Sequence, residues 1–136
     1  MKIIDASVAI KWVRREEEFS EIAVKIQTDH LDNIDKILVP RLILYEIANA
    51  LATKSDTTPK YVRSGLNILF ESKLEIYHES EKEILEAAKL AKKHKTSVYD
   101  MLYAVIAKEN KCMLITADEN FVAKTGFKFV KHIGQV

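Results

Sequence analysis

The alternation of very short apolar runs with longer segments of helical periodicity is the feature that most constrains the fold. Runs at residues 3–4, 37–39 and 112–115 are only two to four residues long and carry no polar alternation. Between them, apolar residues recur every three or four positions, as on one face of a helix. Short strands that are apolar throughout and separated by helices are typical of parallel sheets covered on both faces. We therefore predict an α/β fold with a short, mostly parallel central sheet flanked by helices.

The same patterns predict the individual elements. The predicted strands are residues 3–4, 37–39, 74–77, 112–115 and 127–130. The predicted helices are residues 6–13, 18–31 and 41–53, a helix starting at Pro59, helices capped by Ser80 and by Ser97, and a short helix from Asp118 to Gly126. Ser80 with Glu83, and Ser97 with Asp100, have the spacing of a capping box.

Length and composition limit the architecture and the cellular setting. A chain of 136 residues is the size of one domain, so we predict a single domain over 1–136. The single cysteine, Cys112, excludes an internal disulfide and a cysteine-based zinc site. The N-terminus does not resemble a signal peptide, and no apolar run is long enough to span a membrane. We therefore expect a cytoplasmic protein.

The charge balance excludes one class of nucleic-acid binder. Lys and Arg total 21 and Asp and Glu total 20, which gives a net charge of +1. Affinity for an anionic polymer cannot rest on overall charge here, although a local basic patch can still contribute. Basic residues cluster at residues 89–95, either as a solvated helix end or as a patch that contacts phosphates.

Two acids follow predicted strands closely. Asp5 comes directly after the first strand, and Asp118 comes three residues after Ile115. In a parallel sheet both carboxylates would face the same edge, where α/β proteins bind ligands. Asp is also a preferred helix N-cap residue, and each acid precedes a predicted helix. Capping therefore remains an alternative explanation for each of them.

Glu46 and Asp100 lie within predicted helices. Glu46 and Asn49 are the only strongly polar side chains in residues 42–52, and they share one helix face. A glutamate in so apolar a segment is costly to bury unless it is paired, protonated or metal-bound, although it can also be exposed or salt-bridged. Asp100 lies in the first turn of its helix, where capping with Ser97 would also explain it.

Taken together, these acids predict a metal site. Several carboxylates at one sheet edge, with no cation next to them in sequence, would repel one another. A hard cation such as Mg²⁺ or Mn²⁺, held by oxygen ligands, resolves that repulsion. Such an ion polarises phosphoryl oxygens and activates water.

Four segments carry a family resemblance. Residues 1–12 (MKIIDASVAIKW) resemble the opening of PIN-domain nucleases, and residues 44–51 (LYEIANAL) look like the second acidic motif of that family. Residues 97–104 (SVYDMLYA) and 114–121 (LITADENF) are similar to its third and last motifs. Their order, their spacing and the chain length match the VapC-type toxins of toxin–antitoxin pairs across essentially the whole chain.

The resemblance implies a fold, an activity and a set of site residues. It implies a PIN-like three-layer sandwich and a Mg²⁺- or Mn²⁺-dependent endoribonuclease, in which metal-activated water hydrolyses an RNA phosphodiester. The residues that match the metal-holding catalytic acids of the family are Asp5, Glu46, Asp100 and Asp118. Thr116 matches the Ser or Thr that the family has near the metal, and the further candidates for supporting the metal ligands are Ser7 and Asn49.

The resemblance also implies partners: an RNA substrate, a small VapB-like antitoxin and a second copy of the chain in a homodimer. Two alternatives stay open. One is a PIN-like binding module without catalytic activity. The other is a phosphoacceptor receiver domain, although such domains open with adjacent acids and here Asp5 stands alone.

The remaining chemically versatile residues form no motif. His30, His78, His94 and His132 are scattered, and we expect them at the surface without a catalytic role. Tyr103, which has helical spacing beside apolar residues, is expected in the core or in a dimer interface rather than stacked on a base.

Overall fold

A five-stranded parallel sheet organises the computed structural model, which describes residues 1–136. Its strands are β1 (Lys2–Ile4), β2 (Ile37–Pro40), β3 (Glu75–Tyr77), β4 (Met113–Thr116) and β5 (Val130–His132). Their order across the sheet is β3-β2-β1-β4-β5, and every neighbouring pair is parallel. The predicted α/β class is confirmed, and the sheet is parallel throughout rather than mostly parallel.

Seven α-helices connect these strands. They are α1 (Ala6–Ala9), α2 (Ser20–Leu31), α3 (Leu42–Thr53), α4 (Pro59–Glu71), α5 (Glu81–His94), α6 (Val98–Glu109) and α7 (Glu119–Thr125). Ser80 and Glu83 form the predicted capping box of α5. None of the helices combines the length and the apolar character that a membrane span needs.

The connections reverse direction at the centre of the sheet. From β1 the chain moves outward to β2 and β3, and after α5 and α6 it returns to β4 beside β1 and moves outward the other way. Because parallel crossovers are right-handed, helices α1–α4 cover one face and α5–α7 cover the other, which makes three layers. The crevice at the carboxyl ends of β1 and β4 is the switch point where such sheets bind ligands.

Helix α6 is the most deeply buried helix of the structure. Residues 101–107 are all buried, because this helix packs against α5 and also against β1, β2 and β4. It runs toward the start of β4, so its first turn lies at the carboxyl edge of the sheet. A helix held on several sides gives Asp100, in that first turn, a fixed position.

Most predicted elements agree with the structure to within two residues at each end, and two differ by more. The segment predicted as a helix over 6–13 is α-helical only to Ala9 and continues as a 3₁₀ helix over Ile10–Trp12. The last strand is Val130–His132 and not 127–130. Phe127 and Phe129 instead stack on each other with ring centroids 5.1 Å apart, so the apolar pattern of this segment reflects side-chain packing before the strand begins.

The expectation that all four histidines lie at the surface is wrong for His30. This side chain is only 1% exposed. Its Nδ1 accepts a hydrogen bond from the backbone N–H of Ile37 at 2.9 Å. Nδ1 therefore carries no proton, and Nε2 donates to the carbonyl of Lys73 at 3.0 Å. The neutral ring ties the end of α2 to β2 and to the residues before β3.

We predict that His30→Ala lowers the free energy of unfolding by about 2–4 kcal/mol, because it removes two buried hydrogen bonds and leaves a cavity. Urea unfolding followed by the fluorescence of the single tryptophan, Trp12, measures the change. The matched control is His78→Ala at an exposed histidine, for which we expect a change within about 0.5 kcal/mol. Equal stability of the two variants would contradict the structural role of His30.

Candidate active site

The structure places the predicted acids at the carboxyl edge of the sheet. Asp5 follows β1, and Asp118 follows β4, the neighbouring strand. Glu46 lies in the second turn of α3, which begins after β2, and Asp100 lies in the first turn of α6. Because parallel strands end at one edge, elements distant in sequence bring these side chains into one region.

Asp5 is the most buried of these acids, with 9% of its surface exposed. Its Oδ1 accepts a hydrogen bond of 2.5 Å from the Ser7 hydroxyl, and its Oδ2 accepts one of 2.5 Å from the Thr116 hydroxyl. Oδ1 also accepts from the backbone N–H of Val8 at 3.3 Å, which caps α1. The capping explanation for Asp5 is thus correct but incomplete, because two hydroxyl groups also hold the carboxylate.

Ser7 and Thr116 are themselves fixed by the backbone after β4. The N–H of Ala117 donates to the Ser7 hydroxyl oxygen at 2.9 Å, and the N–H of Asp118 donates to that of Thr116 at 3.0 Å. Each hydroxyl therefore accepts from the backbone and gives its proton to Asp5. Two of the three residues predicted to support the site, Ser7 and Thr116, contact its most buried acid.

Burial dominates the electrostatics of Asp5. The pKa of its carboxyl is raised from 3.8 to about 6, mainly by desolvation, even though the bonds from Ser7 and Thr116 lower it. The charge of Asp100 raises this pKa further. The folded protein therefore holds a carboxylate whose ionised form is costly at neutral pH.

Glu46 is half-buried and is paired with a tyrosine. The hydroxyl of Tyr103 donates to Glu46 Oε1 at 2.5 Å, which links α3 to α6. Desolvation raises the pKa of Glu46, the bond from Tyr103 lowers it, and the charge of Asp100 raises it. Burial also raises the pKa of Tyr103 far above its usual range, so its hydroxyl remains a donor.

Asp100 couples the other acids electrostatically. Its backbone N–H donates to the Ser97 hydroxyl at 3.0 Å, so Ser97 caps α6. No reciprocal bond from the Asp100 carboxylate to the backbone N–H of Ser97 completes a capping box of the kind seen in α5. Desolvation raises the pKa of Asp100, the Ser97 bond lowers it, and the charge of Asp118 raises it.

Asp118 has a structural role that the sequence also predicted. Its Oδ1 accepts from the N–H of Phe121 at 3.1 Å and caps α7. The carboxylate lines a small cleft together with Asp100. One oxygen of Asp118 is thus engaged as a cap, and its charge still acts on Asp100.

The four acids have no cationic partner among the ion pairs of the structure. Their oxygens are hard ligands of the kind that Mg²⁺ and Mn²⁺ prefer. No three acid, histidine or cysteine side chains converge closely enough to hold a metal ion by themselves. A magnesium ion commonly uses only one or two carboxylates and keeps several waters, so the donor set fits such an ion without a closed cage.

The structure separates the supporting residues that the sequence grouped together. Thr116 and Ser7 contact Asp5, whereas Asn49 is exposed and has no side-chain hydrogen bond to any of the acids. Sequence reasoning missed the role of Tyr103, although its position three residues after Asp100 places both on one helix face. It also missed Lys124, whose charge lowers the pKa of Asp100.

We predict that Asp5→Asn removes a pH-dependent destabilisation in metal-free buffer. The pKa of Asp5 is higher in the folded than in the unfolded chain, so its contribution to stability is complete below about pH 3.8 and is lost as the pH rises through about 6. The shift corresponds to about 3 kcal/mol above that window. The unfolding free energy of the variant minus that of the wild type should rise from pH 4 to about 6.5 and then level off.

Urea unfolding with EDTA at several pH values measures that difference. Asp32→Asn is the control, because Asp32 is exposed and forms no ion pair, and it should give a flat difference. If Asp5→Asn is less stable than the wild type by the same free energy at every pH, the carboxylate matters only as a helix cap.

The chain is similar to known proteins both in sequence and in fold. The family model described as PIN domain matches residues 2–127. PAE2754 from Pyrobaculum aerophilum superposes with a TM-score of 0.71 at 20% sequence identity, over 98% of this chain and 90% of that chain. VapBC2 from Rickettsia felis, solved bound to a DNA fragment from their promoter, superposes with a TM-score of 0.66 at 15% identity, over 96% and 97%. No curated protein sequence matches this chain.

These findings agree with the architecture described above. The two solved structures share the fold, while the family model matches the sequence itself from β1 to the residues after α7. The chain belongs to the PIN domain family.

Proposed function

We propose that this protein is a Mg²⁺- or Mn²⁺-dependent endoribonuclease of the VapC type, the toxin of a toxin–antitoxin pair. The observation that carries the proposal is the buried Asp5 carboxylate, held by two hydroxyl groups beside three further acids, none of which forms an ion pair. PIN domains are generally nucleases, and a cluster of uncompensated oxygen ligands is what phosphodiester hydrolysis with a divalent ion needs.

The acids proposed to hold the ion are Asp5, Glu46, Asp100 and Asp118. The bound ion would offset the negative charge of a phosphodiester transition state and make a nucleophile from water at neutral pH. A side-chain base is not required for this chemistry, since a bound ion would itself lower the pKa of water. In this proposal the residues of the chain supply position and charge rather than covalent chemistry.

Three hydroxyl groups orient the ligands. Ser7 and Thr116 each take one oxygen of Asp5, so rotation of this carboxylate would break both bonds. Tyr103 holds one oxygen of Glu46 and leaves the other available. A ligand fixed in this way loses little conformational freedom when an ion binds.

The toxin assignment rests on the family and on the fold. The VapBC2 structure from Rickettsia felis shares this fold over 96% of the chain, which supports a small antitoxin as a partner of this protein. The proposal includes a homodimer that acts on RNA in the cytoplasm.

Neither alternative function gains support from a specific contact. A receiver domain does not agree with the match to the PIN family over residues 2–127. A silent binding module would gain nothing from keeping four carboxylates without ion-pair partners at one edge, where they repel one another.

We predict that the purified protein, free of antitoxin, cleaves RNA from a varied pool when millimolar Mn²⁺ or Mg²⁺ is present and not when EDTA is present. Asp5→Asn and Asp100→Asn should each lower the rate at least about 100-fold, because each removes a charged ligand. Gel electrophoresis of end-labelled RNA measures the rates and shows whether products carry 5′-phosphates.

Asp32→Asn serves as the matched control, since it makes the same chemical change at an exposed acid outside the site, and it should cleave like the wild type. Cleavage that survives EDTA, or that survives both site substitutions, would contradict the proposal. A folded wild type that cleaves nothing with either ion would favour the silent binding module.

A further inference from the structure

A cleft of about 110 Å³ opens beside two of the acids, and its composition is mixed in charge. Its walls include two carboxylates, two lysines and three neutral polar residues, which are Asp100, Asp118, Lys95, Lys124, Thr96, Ser97 and Asn120. Lysines that lie beside carboxylates commonly form ion pairs with them.

Neither lysine pairs with an acid. The ammonium of Lys124 donates to the backbone carbonyl of Lys95 at 3.1 Å, and neither residue takes part in an ion pair. Lys95 has a left-handed backbone (φ 58°) and ends α5, so the bond attaches Lys124 to the turn before α6. An ammonium has three N–H donors, and two of those on Lys124 remain free.

The charge of Lys124 nevertheless reaches the acidic edge. It lowers the pKa of Asp100, while the neighbouring Asp118 raises it. The ammonium is therefore close enough to act on Asp100 and is held too far away to pair with it. A cation fixed across a polar cleft from proposed metal ligands can bind an anionic group that enters the cleft.

We propose that Lys124 binds a backbone phosphate of the RNA substrate, next to the phosphodiester that is cut. This inference rests on the proposed function and identifies one contact of the same site. The side chains of Asn120 and Lys95, on the walls of the cleft, offer further donors to that phosphate. The cleft gives the chain, whose net charge is only +1, a local attraction for a polyanion.

A purely structural role for Lys124 would be to satisfy the carbonyl at the end of α5. Two substitutions separate the roles. Lys124→Gln keeps an N–H donor for that carbonyl and removes the charge, whereas Lys124→Arg keeps the charge. Lys108→Gln is the control, because this exposed lysine lies on the same helix as Asp100 but about 12 Å along it toward the other end.

Steady-state RNA cleavage with Mn²⁺ is the first measurement. We expect Lys124→Gln to raise KM about three- to tenfold and to change kcat less than about twofold, because a contact to an unreacting phosphate is equal in the ground and transition states. Lys124→Arg should restore KM to within about twofold of the wild type, and Lys108→Gln should leave it unchanged.

RNA binding without cleavage is the second measurement. In an Asp5→Asn background, the anisotropy of a labelled single-stranded RNA gives the affinity at several salt concentrations. Loss of one phosphate contact should reduce the slope of log affinity against log salt by about 0.7 for Lys124→Gln. The slope for Lys108→Gln should equal that of the background.

The results separate this inference from the proposed function. If the wild type cleaves RNA but Lys124→Gln changes neither KM nor the salt slope, Lys124 only completes the end of α5, and the inference is wrong while the function stands. If the wild type neither cleaves nor binds RNA, the proposed function fails, and the inference fails with it.

Discussion

The burial of one carboxylate without a balancing cation is the constraint on which the site depends. Asp5 lies at the switch point of the sheet, where Thr116 of the neighbouring strand and Ser7 of the following helix each donate a hydroxyl to it. These bonds stabilise the buried carboxylate but do not neutralise its charge. Its pKa of about 6 shows that burial of the ionised form still costs free energy. A bound cation would offset that cost, so the folded protein favours the binding of a cation at this position.

The rest of the molecule keeps this arrangement rigid. Helix α6 is buried over residues 101–107 between α5 and the sheet, so it cannot move away when like charges gather near its first turn. The bond from Tyr103 to Glu46 joins this helix to α3. His30, near the end of α2, accepts a hydrogen bond from the first residue of β2 and so joins these two elements. The acids repel one another within a framework whose apolar contacts do not depend on them.

Much of this was predictable from the sequence, because the signals were local or periodic. The parallel sheet followed from short apolar runs, and the acids were found by their positions after strands and on an apolar helix. What the sequence could not give depended on contacts between distant segments: the buried His30, the bond from Tyr103 to Glu46 and the placement of Lys124. The bounds of the last strand were missed because stacking of Phe127 and Phe129 has the same apolar pattern as a strand.

The most direct test of a metal site is thermal unfolding of the wild type and of Asp100→Asn, each with and without millimolar Mn²⁺. An ion that binds only the folded chain must stabilise it, by about 2.7 kcal/mol at 100 times its dissociation constant. We predict that Mn²⁺ raises the Tm of the wild type by several degrees and leaves that of Asp100→Asn nearly unchanged. An equal response of the two proteins, or no response of either, would contradict a metal site built from these acids.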